Sequence, residues 1–451
     1  MKPAKFLVLL SLASWSGCVS AVRADSGAAI DTSTADSRQK LIESYNKMLS
    51  KAEKDNRFAG TSVVLFDKNG EFYRAHYGFS DVQNQKKPTD NTIYELASVT
   101  KVFTRLLLNL ETDVQWTDPI SKYLPPQIQN PEPAGQSIRM QDLAVHTGFV
   151  ARLPCIPTGI NDSEMKCFGM LNPGDPKNAN VTDPYAHTTR ELLFDFVNAY
   201  AKMVQRPDVK WAFPAPGRLF EYSNAGTGLL GELLALKNQT TYSEYVKKKI
   251  LAPLGMNHTF ADMNCNVKFQ SDCAELAKVY ARNSEDTNWV EQSVWHFPGF
   301  AGAGGIRSNI SDMSLFLKAQ MEQNAALPDA LKKGILFGKL PMPEADAEHA
   351  TNICGTAGAE EKFCNKSKEN FYRGFFSYAH GQSLGHTGQT AGSTSRILFS
   401  TDGKFGAVVL ANNAPSSKTK SATHFPQNFA NCAYAMTLDE KLGREYCAEY
   451  L

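Results

Sequence analysis

Two strand-like hairpins near opposite ends of the chain constrain its fold more than any other feature. The first, "GTSVVLFDKNGEFYRAHYGF", carries Val63, Val64, Leu65 and Phe66, then a turn at Lys68-Asn69-Gly70, then aromatic-rich alternation. The second joins "STSRILFS" to "FGAVVLANN" through a turn at Asp402-Gly403. Between them the chain turns Pro- and Asn-rich and breaks into short helical pieces, among them "RELLFDFVNAYAKMV" and "AGTGLLGELLALKN". Helical patterns also flank the hairpins, as "SRQKLIESYNKMLSKAEKD" and "FPQNFANCAYAMTLDEKL". Strands at both ends with helices between predict an α+β protein: an antiparallel sheet built from both termini, flanked by helices, with a mainly helical region inserted. At 451 residues the chain exceeds what one core usually organises. The expected division is a sheet domain of residues 37–120 and 290–451 and an inserted helical domain of residues 121–289.

The opening "MKPAKFLVLLSLASWSGCVSAVRADS" has a positive start (Lys2, Lys5), an apolar stretch from Phe6 to Trp15, and small residues before a cut after Ala24. Residues 1–24 therefore read as an export signal and 25–36 as a mobile leader, placing the mature protein in the periplasm or outside the cell. Lipid attachment at Cys18 is the alternative, and Trp15 fits that signal poorly. No later stretch reaches the length of a membrane helix. Without Lys2, Lys5 and Arg23, the 47 basic residues fall to 44 against 46 acidic ones, a balance of about −2 that disfavours nucleic acid as a partner.

Eight cysteines follow the leader: Cys155, Cys167, Cys265, Cys273, Cys354, Cys364, Cys432 and Cys447. An even count in an exported chain points to disulfides; about 105 pairings are open, and nearest-neighbour pairing is expected because three of the intervening segments are loop-like. A zinc site is disfavoured, since no C-x-x-C occurs and the histidines lack ligand spacing. No cofactor and no metal is expected.

The chemistry centres on "YELASVTKVFTRLLLNL", residues 94–110. Val99, Val102, Phe103, Leu106, Leu107 and Leu110 repeat at helical spacing, so this helix is largely buried, and Ser98 and Lys101 share its other face. Desolvation drives a buried lysine toward its neutral form. A neutral amine within reach of a serine hydroxyl can take its proton and activate it for acyl transfer. The free N–H groups at a helix N-terminus can meet a developing oxyanion. Ser-x-x-Lys occurs five times, at Ser37, Ser44, Ser98, Ser163 and Ser417, and only Ser98 opens a strongly apolar helix. A plain helix cap with a snorkelling lysine is the competing reading.

Tyr222-Ser-Asn224 precedes a Gly-rich helix entry, where an extended segment would project Tyr222 and Asn224 the same way. A polar turn capping the helix from Ala225 is the plainer alternative. His-Thr-Gly occurs twice, at His146 and His386. The first copy closes a helix-like run with Gly148 suited to the C-terminal cap. The second leads into a strand able to line a cleft, so His386 is the expected site residue.

Ser98-Val-Thr-Lys101, Tyr222-Ser-Asn224 and His386-Thr-Gly388, in this order, resemble the three motifs of the class C β-lactamase and penicillin-binding-protein-like serine hydrolases. "DPISKYLP", "IRMQDLAVHTG", "ILAPLGM" and "GAGGIRSNISDMSLFL" are similar to that family's supporting segments. The resemblance implies that Ser98 is acylated, that Lys101 is its base, and that Tyr222 serves acylation or deacylation. Asn224 would orient a substrate amide, and the N–H groups of Ser98 and Gln389 would form the oxyanion hole. Segment 389–395 would add the acyl chain as a strand. His386 and Thr387, with Gly388, would contact a carboxylate or help the proton relay.

The sequence departs from the family pattern in carrying histidine where β-lactamases of this class usually have lysine, in Arg105 one turn below Lys101, in a shortened connection after the first helix, and in the cysteine-bounded insertions. The histidine is found among family members described as peptidases and esterases. The expected activity is that of an exported serine hydrolase forming an acyl-enzyme on D-alanyl peptides of the peptidoglycan type, as carboxypeptidase or endopeptidase. A β-lactamase or carboxylesterase is the second reading, and a catalytically silent β-lactam or peptide-binding module the third.

Overall fold

The computed structural model describes residues 35–148, 150–157, 165–169, 183–207, 214–218, 220–261, 273–282, 288–324, 326–343, 372–378, 382–414, 425–438 and 447. The export signal, Cys18, most of the leader, and Cys265, Cys354 and Cys364 lie outside the described residues. Helix α1 (Ala35–Lys54) takes in the last two residues of the expected leader.

Strands β1 (Gly60–Asp67) and β2 (Gly70–Gly78) form the first hairpin. Gly70 takes φ +118°, a conformation open to glycine because it has no side chain to clash. β10 (Ser383–Gln389), β11 (Thr394–Ser400) and β12 (Phe405–Ala411) follow from the other end of the chain, with β9 (Phe376–Tyr378) on the outer edge. Their order is β2-β1-β12-β11-β10-β9, antiparallel throughout. Opposite ends of the chain meet where β1 pairs with β12, Val63 facing Val409 and Val64 facing Val408. The sheet is thus built from both termini, as the two hairpins require. Among the described residues three short two-stranded pairs accompany it: β3 (Tyr94–Glu95) with β8 (Arg307–Ser308), β4 (Cys155–Pro157) with β5 (Met165–Cys167), and β6 (Val279–Arg282) with β7 (Trp289–Gln292).

Both faces of the sheet are covered. On one, Val63, Leu65, Leu398, Ala407 and Val409 pack with Leu41, Tyr45, Met48 and Leu49 of α1 and with Phe425, Phe429 and Ala433 of the closing helix α11 (Phe425–Leu438). On the other, Val64, Phe66, Leu384, Ile397, Phe399, Val408 and Leu410 join the larger core. That core holds α2 (Thr100–Leu110), α3 (Met140–Ala144), α4 (Arg190–Val204), α5 (Asn224–Lys237), and α6 (Tyr242–Val246) with its continuation through a π segment (Lys247–Leu251) into α7 (Ala252–Leu254). It also holds α8 (Ala301–Gly304), α9 (Ile310–Gln320) and α10 (Asp329–Gly338). Because β1, β11 and β12 are buried on both faces, their sequences read as continuous apolar runs rather than strict alternation.

Two nearest-neighbour disulfides lie wholly within the described residues, Cys155–Cys167 and Cys432–Cys447. Cys273 is disulfide-bonded as well. No helix among the described residues is long and apolar enough to cross a membrane.

Candidate active site

A 3₁₀ turn (Ala97–Val99) leads directly into α2, and Ser98 sits in that turn with its backbone N–H ahead of the first intrahelical bond. Ala97 has φ +48°, in the left-handed region that costs a non-glycine residue free energy and here swings the chain from β3 into the helix. Lys101 is 0% exposed, and its Nζ lies 3.0 Å from Ser98 Oγ and donates to Ala303 O at 2.6 Å. The helix is buried almost all round, from Thr100 to Leu108, so Lys101 lies in protein rather than snorkelling to water. Burial, reinforced by the Arg105 and Arg152 guanidinium groups, holds its ammonium pKa well below the usual lysine value. A neutral amine keeps one lone pair, and the nearby Ser98 hydroxyl is positioned to donate to it.

α8, whose Ala303 carbonyl meets Lys101, also lies very close to α5. A Cβ on Gly231 of α5 would come within 3.1 Å of Gly302 Cα, so the Gly-rich composition of both helices is a condition of the contact.

Tyr222 precedes α5, whose N-cap Ser223 accepts the Gly226 N–H. The Tyr222 ring meets Lys101 Nζ at 5.1 Å and the Arg152 guanidinium at 5.2 Å from its centroid. Asn224 opens α5; its Nδ2 donates to Tyr185 Oη at 3.1 Å, and its buried Oδ1 has no hydrogen-bond partner among the described residues. Burial pushes the Tyr185 phenol up to about 12.

β10 presents Leu384, His386 and Gly388 to the face that carries α2. A Cβ on Gly388 would lie 2.1 Å from Leu96 O and 3.1 Å from Ser98 N, so only glycine lets the strand lie against the turn holding Ser98. Ser395 Oγ of β11 donates to the same Leu96 carbonyl at 2.6 Å. The His386 ring is 2% exposed, and its Nδ1 stands 2.6 Å from Thr387 O. A carbonyl only accepts, so Nδ1 carries the proton and the buried Nε2, without a partner among the described residues, presents a lone pair. Burial and the Arg105 charge hold the imidazole pKa well below its ordinary value, so it is neutral at pH 7. This tautomer offers a carboxylate no free ring N–H, and of the two roles expected for His386 it favours the relay.

Two expectations need correction. Residues 389–395 are not one strand: β10 ends at Gln389, Thr390–Ser393 turn, and β11 begins at Thr394, with Gln389 and Thr394 paired across the hairpin. Since β9 pairs only with Ser383–Gly385, His386–Gln389 pair with β11 on one side and have no ladder partner on the other among the described residues. The resemblance implies a strand here but not the location of its turn. Similarly, the left-handed residue after α3 is His146 (φ +65°) rather than Gly148.

His146 does more than end a helix. Its ring lies 4.4 Å from that of Tyr222 and its Nδ1 accepts the Ser223 N–H at 3.1 Å, so both His-Thr-Gly copies converge on one cleft. Phe376 of β9 stands between His146 and His386, 5.9 and 5.1 Å from their rings, with the Arg105 guanidinium 4.8 Å above it. Sequence reasoning missed Arg152, Tyr185 and Phe376; only the Arg-Leu-Pro stretch following the first His-Thr-Gly copy lay near enough to a motif to have drawn notice. A Ser-His-Asp chain outside the cleft, Ser62 to His76 at 2.9 Å and His76 to Asp90 at 3.1 Å, has its serine fully buried within β1.

The fold has clear counterparts. The octameric penicillin-binding protein homologue from Pyrococcus abyssi superposes with a TM-score of 0.66 at 23% identity, over 90% of this chain and 79% of that one. A class C β-lactamase superposes with a TM-score of 0.57 at 18% identity, over 84% of this chain and 93% of that one. The Beta-lactamase family profile matches residues 39–426, and the chain belongs to that family. Protein flp of Staphylococcus aureus (strain N315) is 24% identical over 402 residues, covering 88% of this chain and 68% of that protein. A Beta-lactamase of Yersinia enterocolitica is 28% identical over 284 residues, covering 61% of this chain and 58% of that one. Family membership makes the protein a serine hydrolase of this superfamily.

Proposed function

We propose that this is an exported serine hydrolase working through an acyl-enzyme at Ser98, and that its substrates are D-alanyl peptides of the peptidoglycan type, cleaved as a carboxypeptidase or endopeptidase. The observation that carries the reading is the fully buried Lys101 amine 3.0 Å from Ser98 Oγ. In this mechanism Lys101 takes the hydroxyl proton as Ser98 Oγ attacks the substrate carbonyl, forming the tetrahedral adduct whose oxyanion lies against the N–H groups of Ser98 and Gln389. The adduct collapses to the acyl-enzyme as the leaving group receives a proton through Tyr222. Water then attacks the ester, and Ser98 Oγ recovers its proton. Asn224 holds the acyl amide, and the open His386–Gln389 edge of β10 takes the acyl chain as an added strand. His386 Nε2 accepts a hydrogen bond within the relay, with Thr387 and Gly388 lining the same edge.

The disulfides agree with an oxidising destination and support export. Carboxylesterase or β-lactamase chemistry is the second reading, and the neutral His386 favours its esterase form, because that residue does not supply the cation that lysine brings to a substrate carboxylate. Comparing kcat/KM for a D-Ala-D-Ala peptide, nitrocefin and a short-chain p-nitrophenyl ester separates the readings. The peptide should be preferred, and a larger value for either other substrate would name that class instead. No turnover of any of the three would leave a silent binding module.

A further inference from the structure

A cation lies beside the Tyr222 ring in the cleft. Arg152 follows the left-handed turn at His146 and precedes the Cys155–Cys167 hairpin. Its carbonyl accepts the N–H groups of Asn224 (2.9 Å) and Ala225 (3.3 Å), fixing its backbone to the first turn of α5. The guanidinium lies over the Tyr222 ring at 5.2 Å, helps lower the Lys101 pKa, and offsets part of the rise that burial causes at Tyr185. It is half-buried, and among the described residues no carboxylate and no hydrogen-bond acceptor meets it.

Arginine is always charged and carries five donors in a planar fork that matches a carboxylate. A half-buried guanidinium without an acceptor is costly in a resting protein, and an arriving anion removes that cost. The demand for one is also local, because Lys101 and His386 are both held neutral and neither can serve as the anchor. We infer that Arg152 is an anion-recognition residue, and that it binds a carboxylate carried by the acyl portion of the substrate, the side on which Asn224 stands. This rests on the acyl-enzyme reading and narrows its substrate class to acyl donors bearing a carboxylate near the scissile carbonyl.

The test uses two esters with one leaving group, mono-p-nitrophenyl adipate and its methyl ester, which differ only in whether the far end of the acyl chain is charged. The quantity read is the ratio of their kcat/KM values, in which any general effect of Arg152 on Tyr222 or Lys101 cancels. The wild type should favour the anionic ester at least about tenfold, as a buried charge-assisted pair would provide. Arg152→Ala should lose that preference, Arg152→Lys should keep part of it, and Arg152→Glu should reverse it. A ratio unchanged across these variants, or near one in the wild type, overturns the assignment while leaving the hydrolase reading intact. Failure of the wild type to hydrolyse either ester or to form an adduct at Ser98 overturns the hydrolase reading itself, and the anion site with it.

Discussion

A lysine that must accept a proton has to be kept from holding one, and the surroundings of Lys101 do this twice over. Burial removes the water that would stabilise an ammonium, and Arg105, one helical turn away, adds like-charge repulsion. Activity should therefore persist at neutral pH and decline as pH falls through the depressed lysine pKa, where the amine protonates. Replacing Arg105 by methionine removes one cause of the depression and raises that pKa, so the acidic limb of the kcat/KM profile should move to higher pH. A limb that stays in place would show that Arg105 acts only through packing on Phe376. Lys101→Ala should slow acylation at least about a hundredfold, the scale of a general base; pre-steady-state bursts with a p-nitrophenyl ester measure it, and an unchanged burst rate would remove the residue from that role.

At the scale of elements, the site is a contact between two structures that must approach unusually closely. The turn carrying Ser98 rests on β10 at Gly388, and the β10–β11 turn is tied back through buried Glu95. One Glu95 oxygen accepts from Thr390 Oγ1 at 2.9 Å and the other from the Trp295 N–H at 2.7 Å, with Arg307 3.6 Å away. Gly388→Ala places a methyl group 2.1 Å from the Leu96 carbonyl, so strand and turn must separate. The expected outcome is loss of Ser98 acylation by about two orders of magnitude or more, as misplacing a reacting group allows, with far-UV circular dichroism unchanged. Full activity in this variant would mean that β10 does not need to lie so near.

For the whole molecule, the sheet separates a core under the site from a second one beneath α1 and α11. Phe429 belongs to the second. Phe429→Ala should cost about 3–5 kcal/mol, lowering the denaturant midpoint while kcat/KM of the folded protein stays the same; a change in kcat/KM would show that the two cores communicate. This division also explains what was legible beforehand. Ser98 and Lys101 are close because they are near in one helix, and the hairpins announce themselves by apolar runs and Gly turns, so local sequence carried them. Arg152, Tyr185 and Phe376 come together only through tertiary packing, and none belongs to a periodic pattern. The two-residue strands β3 and β8 leave no signal for the same reason, since four residues cannot show a period. His146 was misjudged because a residue at the end of a helix looks like punctuation until the fold sets it against a ring.

The most direct test of the central claim follows acylation of the protein by a fluorescent penicillin as a function of pH, with the labelled peptide mapped by mass spectrometry. The account predicts a single adduct on Ser98, absent from Ser98→Ala, forming at a rate that falls on acidification as Lys101 gains its proton. Label on another residue, or an equal rate in Lys101→Ala, would contradict it.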